Sequence, residues 1–164
     1  MEEFWHELTA DLPTTAGMLK VAFRLTLAAV AGALPGFQRE RLHVAAGLRT
    51  HMLVAVCAAV FVLAALDSGG TVDAATRIIQ GLATGIGFVG AGAILKSARN
   101  QTIHGLTTAS SIWLTAGLGT AAALGRIWLT TFGSLLALVI LATLRRWESR
   151  VLLSDDKDRA TAGK

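Results

Sequence analysis

The chain has 164 residues, of which 53% are hydrophobic and only 16% charged, with 15 Lys and Arg against 11 Asp and Glu and no Tyr. That composition excludes an ordinary soluble domain of this length. The apolar residues are gathered into blocks long enough to cross a bilayer, which takes about 20 mostly apolar residues per helix, so the expected class is all-α: a polytopic bundle of five transmembrane helices.

In chain order, "EEFWHELTADL" comes first. Its Phe4, Trp5, Leu8 and Leu12 fall at helical spacing, which suits a short amphipathic helix on the membrane surface; a frayed acidic terminus fits nearly as well. "AGA" at Ala31 to Ala33 resembles a signal-peptide cleavage site, but the first sixteen residues carry Glu2, Glu3, Glu7 and Asp11 and no Lys or Arg, the wrong charge for a leader. Residues 1–16 are therefore expected to be an extracytoplasmic segment, 17–145 a membrane domain and 146–164 a polar cytoplasmic tail.

The five apolar blocks are 21–34, 52–66, 78–95, 106–124 and 127–144. Charged, Gly and Pro clusters punctuate them and read as loops: "LPGFQRERLH", "DSGGTVD", "KSARNQTIHG" and the pair Gly125 and Arg126. Lys20, Arg24, Arg49 and His51 lie near block ends, where long side chains reach the headgroups. Eleven of the Lys and Arg residues fall in the first and third loops and the C-terminal tail. The positive-inside rule then places the N-terminus outside and the C-terminus in the cytoplasm.

"GIGFVGAG", residues 85–92, has the glycine spacing of a dinucleotide fingerprint. Such a site needs a strand before it, a helix after it and an acidic residue about twenty positions on. No Asp or Glu occurs between Asp73 and Glu148, so no nucleotide is expected. In lipid, small residues at i and i+4 let helices approach. Gly81, Gly85, Gly87, Gly90 and Gly92 are thus expected to pack the third helix on the fourth, which repeats the pattern in Gly117/Ala121 and Gly119/Ala123. The same glycines weaken the helix by about 0.8–1 kcal/mol each, so local unwinding around a binding site is the alternative.

"AGLRTHMLVAVCAAVFVLA", "RIIQGLATGIGFVGAGAILK" and "HGLTTASSIWLTAGLGTAAALG", in that order, resemble the membrane domain of the MgtC/SapB family over about residues 32–144. The resemblance implies an inner-membrane protein of a bacterium with five helices and an external N-terminus. It also implies a link to adaptation to low magnesium and, in pathogens, to survival inside host cells; members are often labelled magnesium transporters. Three departures stand out. After the first helix this chain reads "GALPGFQRER", with Pro35 in place of an aliphatic residue and Gln38 in place of a glutamate; His104 stands where an Arg commonly precedes G-L-T-T; and the sequence corresponds to the membrane domain only, without the ACT-like domain of MgtC proper. Glu40, Arg41, Arg49, His104, Thr107 and Thr108 are the functional candidates on this resemblance, Arg49 of "GLRTH" first among them.

The other polar residues give weaker signals. The cytoplasmic mouth gathers Arg39, Arg41, Arg49, Lys96 and Arg99 against Glu40, a field that attracts anions; ordinary topogenic charge explains it equally. Glu40 reads as an ion pair between its flanking arginines. Asp67 and Asp73 supply the oxygen ligands magnesium prefers, so weak Mg2+ binding is considered there beside the simpler reading of helix caps, with Arg77 placed to pair with Asp73. Thr107, Ser111 and Thr115 share one helix face and read as interhelical hydrogen-bond donors. His43, His51 and His104 have no metal-site spacing, Cys57 reads as a small buried hydrophobe, and the tryptophans read as interfacial anchors. No nucleophile is placed beside a base, so no enzyme and no cofactor is expected. The partners expected are the bilayer, another membrane protein or a second copy of the chain, and no nucleic acid. Two functions follow: a regulator of magnesium adaptation acting through a membrane partner, or a transporter of magnesium or another cation.

Overall fold

The structure is a computed structural model and describes residue 1 and residues 14–67, 72–96 and 103–143. The amphipathic reading of the N-terminal segment, Trp5, Arg99, Trp147 and the cytoplasmic tail lie outside the described residues. Among those described are five helices, α1 Thr15–Glu40, α2 Leu48–Asp67, α3 Val72–Gly92, α4 Leu106–Ala123 and α5 Ile127–Thr143. Between α3 and α4 lies an antiparallel two-residue ladder, β1 Leu95–Lys96 with β2 Ile103–His104, in the register Leu95 to His104 and Lys96 to Ile103. The architecture is all-α apart from that ladder.

Each apolar block becomes one helix, with shifted ends. α1 starts at Thr14, whose Oγ1 accepts the Gly17 N–H at 3.2 Å, and continues through Pro35 and Gly36, where the sequence predicts a loop. Its 26 residues reach about 39 Å. Pro35 removes one ladder bond, the one to Ala31 O, but in lipid a break in the helix would leave several backbone groups unsatisfied, so the helix persists. α3 is likewise unbroken through Gly85–Gly92, which removes the expectation of local unwinding there. It ends in tightened turns, Ala93 N–H to Gly90 O at 3.0 Å and Ile94 N–H to Ala91 O at 3.1 Å. α4 closes in a Schellman motif: Arg126 N–H bonds Ala121 O at 2.9 Å and Gly125 N–H bonds Ala122 O at 3.0 Å, with Gly125 at φ 72°.

α1, α2 and α4 pack on one another, while α3 leans chiefly on α4. The core is built from small residues, Ala28, Ala55, Ala59, Val62, Leu63, Ala122 and Ala123. Close approach through glycine is real, but elsewhere than the sequence suggests. A Cβ on Gly32 would stand 2.6 Å from His51 O, and one on Gly36 would stand 2.9 Å from His51 Cβ. Gly119 lies against the Ala55 backbone, so α4 is sealed to α2 rather than to α3. Gly81, Gly85, Gly87 and Gly92 have no neighbour within 4 Å of such a Cβ; only Gly90 of that set touches α4, at Ala109 Cβ, 3.6 Å. α3 thus lies against α4 as expected, but through Gly90, while the face of Gly81, Gly85, Gly87 and Gly92 is open among the described residues. α5 packs through Gly133 against Leu118 and buries Thr130, Ser134 and Ala137.

Two helices, α1 and α2, are long and apolar enough to cross a membrane. The outer surface of the bundle is apolar as well: Trp128 is 87% exposed, Phe88 84% and Phe132 70%. Water would not tolerate so continuous an apolar exterior, whereas lipid is its natural solvent. Cys57 belongs to this exterior; it is exposed on α2, not buried as its mid-helix place suggests. Trp113 and Trp128 are exposed to the same medium.

Candidate functional site

Polar side chains buried in such a bundle are costly unless hydrogen-bonded, and here they collect at the end where α1 finishes and α2 and α4 begin. Arg39, on the last turn of α1, is 7% exposed, and its guanidinium donates to Thr108 Oγ1 on the first turn of α4. His51, on the first turn of α2, is wholly buried. Its Nδ1 lies 2.8 Å from Gly47 O and its Nε2 3.0 Å from Ser111 Oγ. A carbonyl only accepts, so Nδ1 carries the proton toward Gly47. The Ser111 hydroxyl also lies 2.8 Å from Thr108 O; its single proton thus serves either Nε2 or that carbonyl. Thr108 and Ser111 join Arg39 and His51 into one cluster spanning α1, α2 and α4.

The backbone explains why the cluster forms. Gly32 and Gly36, one turn apart on α1, let the first turn of α2 come close enough to bury His51. Glu40 then fixes the entry to α2: its Oε2 accepts the Leu48 N–H at 2.9 Å and lies against Gly47. The carboxylate thus caps the next helix, a role the sequence does not suggest. Arg41 instead stacks over the Phe37 ring, 4.3 Å from its centroid. His43 sits between the helices at φ 52°, a left-handed turn residue. On the α4 side, Gly105 at φ 95° leaves no room for a Cβ against Ala93 O, which ties the end of α3 to the start of α4.

Of the residues singled out in the sequence, Thr108 is at the centre of the cluster. Arg49 and Thr107 are exposed, and His104 is exposed on β2. Ser111 reaches across to α2, but Thr115 donates back to Ser111 O at 2.7 Å, within its own helix. Thr130 and Ser134 do the same in α5. Arg39 and His51 are the cluster residues to which the sequence gives least weight: Arg39 reads as one charge of a topogenic group, and the available signal is the Gly32/Gly36 pair preceding it, which marks a tightly packed face. Asp67 and Asp73 are exposed at the ends of α2 and α3, and no ion pair joins Asp73 to Arg77. No group of three or more metal-capable His, Cys, Asp or Glu side chains occurs among the described residues.

The chemistry of the cluster is cationic and hydroxylic. It consists of the Arg39 guanidinium, the His51 imidazole and the hydroxyls of Thr108 and Ser111.

Comparison with known proteins places this arrangement. The profile of the MgtC family matches residues 25–150, a span covering α1 from Leu25 onward and every later helix. The chain belongs to the MgtC family. Among its relatives, Protein SrpB of Synechococcus elongatus is 36% identical over 155 residues, covering 88% of this chain and 85% of SrpB. The Putative magnesium transporter YhiD of Escherichia coli is 38% identical over 138 residues, 79% of this chain and 62% of YhiD. Protein MgtC of Salmonella typhimurium is 39% identical over 109 residues, 66% of this chain and 46% of MgtC. This MgtC-family chain therefore spans nearly all of the first and about half of the last. No solved structure matches it. The Arg39–Thr108 and His51–Ser111 contacts lie wholly inside the region matched to the MgtC family.

Proposed function

We propose that this protein is a five-span inner-membrane regulator of adaptation to low magnesium that works by binding another membrane protein, with its N-terminus outside and its C-terminus in the cytoplasm. The observation that carries the reading is the buried guanidinium of Arg39, bonded to Thr108 beside the His51 imidazole and the Ser111 hydroxyl. Ion-coupled carriers place carboxylates within their membrane spans. The sequence has none between Glu40 and Asp67 or between Asp73 and Glu148. The family membership supports the magnesium connection, and the open glycine face of α3 is compatible with a neighbouring helix packing there; that helix belongs to the partner or to a second copy.

The transporter reading draws on the printed name of the Escherichia coli relative. Magnesium flux into sealed vesicles containing only this protein separates the two. The regulatory reading expects no flux from a correctly folded sample and a partner that co-purifies from native membranes. Flux from the protein alone would overturn it.

A further inference from the structure

At the opposite end from the Arg39 cluster, where α1 begins and α2 ends, a cavity of about 400 Å3 opens between the two helices. Its walls are largely apolar, with Val21, Leu25, Val60 and Leu63 among them, and Lys20, Arg24 and Asp67 bring two cations and one carboxylate to it. The volume lies within the roughly 300–1,000 Å3 of small-ligand sites. Among the described residues none of these three side chains is hydrogen-bonded or ion-paired. Lys20 and Asp67 are exposed and Arg24 is half-buried, so both signs of charge are available at one cavity to a ligand that carries both.

Arg24 sets the geometry. It sits more than two turns into α1, half-buried, and its guanidinium lies over Gly125, where a Cβ would stand 2.9 Å from one of its terminal nitrogens. Gly125 is the left-handed residue of the α4 Schellman turn, so the cation also faces the negative end of the α4 dipole. The turn therefore pins the guanidinium at the cavity rather than leaving it to extend into water. A half-buried guanidinium without a counter-ion calls for an anion with several acceptor oxygens, and the single carboxylate, Asp67, calls for an ammonium N–H. From Gly17 to Leu25 the cavity runs about 12 Å along α1, the charged residues shading into apolar wall.

We propose that this cavity binds an aminophospholipid of the phosphatidylethanolamine type, its phosphate on Arg24 and Lys20, its primary ammonium on Asp67, and the start of an acyl chain along Val21, Leu25, Val60 and Leu63. The assignment is independent of the regulatory reading and needs only that α1 and α2 stand in a bilayer.

The test is native mass spectrometry of the full chain in detergent micelles carrying defined amounts of phosphatidylethanolamine, phosphatidylcholine or phosphatidylglycerol. Wild-type protein should retain phosphatidylethanolamine about tenfold over phosphatidylcholine, whose quaternary ammonium has no proton for Asp67. Asp67→Asn should erase that preference and raise retention of phosphatidylglycerol. Arg24→Gln should lose all three lipids and Arg24→Lys should keep them, with unchanged elution and melting showing that each variant folds. Free phosphoethanolamine and inorganic phosphate should not displace the lipid. Equal retention of phosphatidylethanolamine and phosphatidylcholine by the wild type would overturn the proposal. So would preference for phosphatidylglycerol, which would mark a simple anion site, or displacement by free phosphate.

Discussion

Arg39 and Thr108, 69 residues apart in the chain, are joined by a hydrogen bond that fastens the last turn of α1 to the first turn of α4. Both are buried, so the bond is made where water cannot substitute for it. Thr108→Val keeps the shape of the side chain but replaces the accepting oxygen with a methyl group. The expected loss is about 1–3 kcal/mol, read as a lower unfolding midpoint in detergent. The double variant Arg39→Met/Thr108→Val should be less destabilised than the sum of the single changes, because it no longer buries a charge facing a methyl group. A cycle additive to within about 0.5 kcal/mol would show that the bond contributes nothing.

The glycines make a prediction of opposite signs. A Cβ on Gly36 meets His51 Cβ at 2.9 Å and Leu48 Cα at 3.0 Å, whereas one on Gly85 meets nothing within 4 Å. Gly36→Ala should therefore cost about 1–3 kcal/mol through forced separation of α1 and α2. Gly85→Ala should be neutral or stabilising by up to about 1 kcal/mol, since it removes backbone freedom without a clash. Thermal melts of the two purified variants decide it. A Gly85→Ala loss as large as that of Gly36→Ala would mean that another helix already covers α3, and Gly87→Leu would then also change the assembly size.

This contrast shows what the sequence could tell. Hydropathy blocks locate all five helices because a long apolar run is a property of composition, and it needs no knowledge of neighbours. Which glycines are interfacial is a different kind of fact. Gly85-x-Gly87 and Gly32-x-x-x-Gly36 both present small residues on a helix, and only the three-dimensional order of helices reveals that α1, α2 and α4 pack on one another while α3 leans chiefly on α4. Local signals also failed where the membrane overrides them. Pro35 and Gly36 read as a loop, yet α1 continues through both. Arg39 reads as one charge of a basic loop only while α1 is taken to end before Pro35; with α1 extended to Glu40, Arg39 is buried and Glu40 reaches α2.

Glu40 offers a test of that last link. Its Oε2 accepts the Leu48 N–H at 2.9 Å, so it works as a long-range cap for α2. Glu40→Ala should destabilise by about 0.5–2 kcal/mol, the range of lost helix caps. Glu40→Gln retains an accepting oxygen and should keep most of the stability, which an ion pair would not allow. Equal losses for Ala and Gln, abolished by high salt, would restore the ion-pair reading.

Cys57 provides a reporter for the exterior. It is exposed and lines an apolar groove of about 700 Å3 between α2 and α3, together with Phe61, Gly81, Gly85 and Val89. The native protein in detergent should react with N-ethylmaleimide without denaturant. A negatively charged maleimide should label it slower by about tenfold or more, because a charge enters that groove only at a desolvation cost. Gly85→Leu places a side chain in the same space and should slow both reagents. Labelling only after unfolding would show that α3 closes over α2, and equal rates for the two reagents would show that the groove is water-filled rather than lipid-facing.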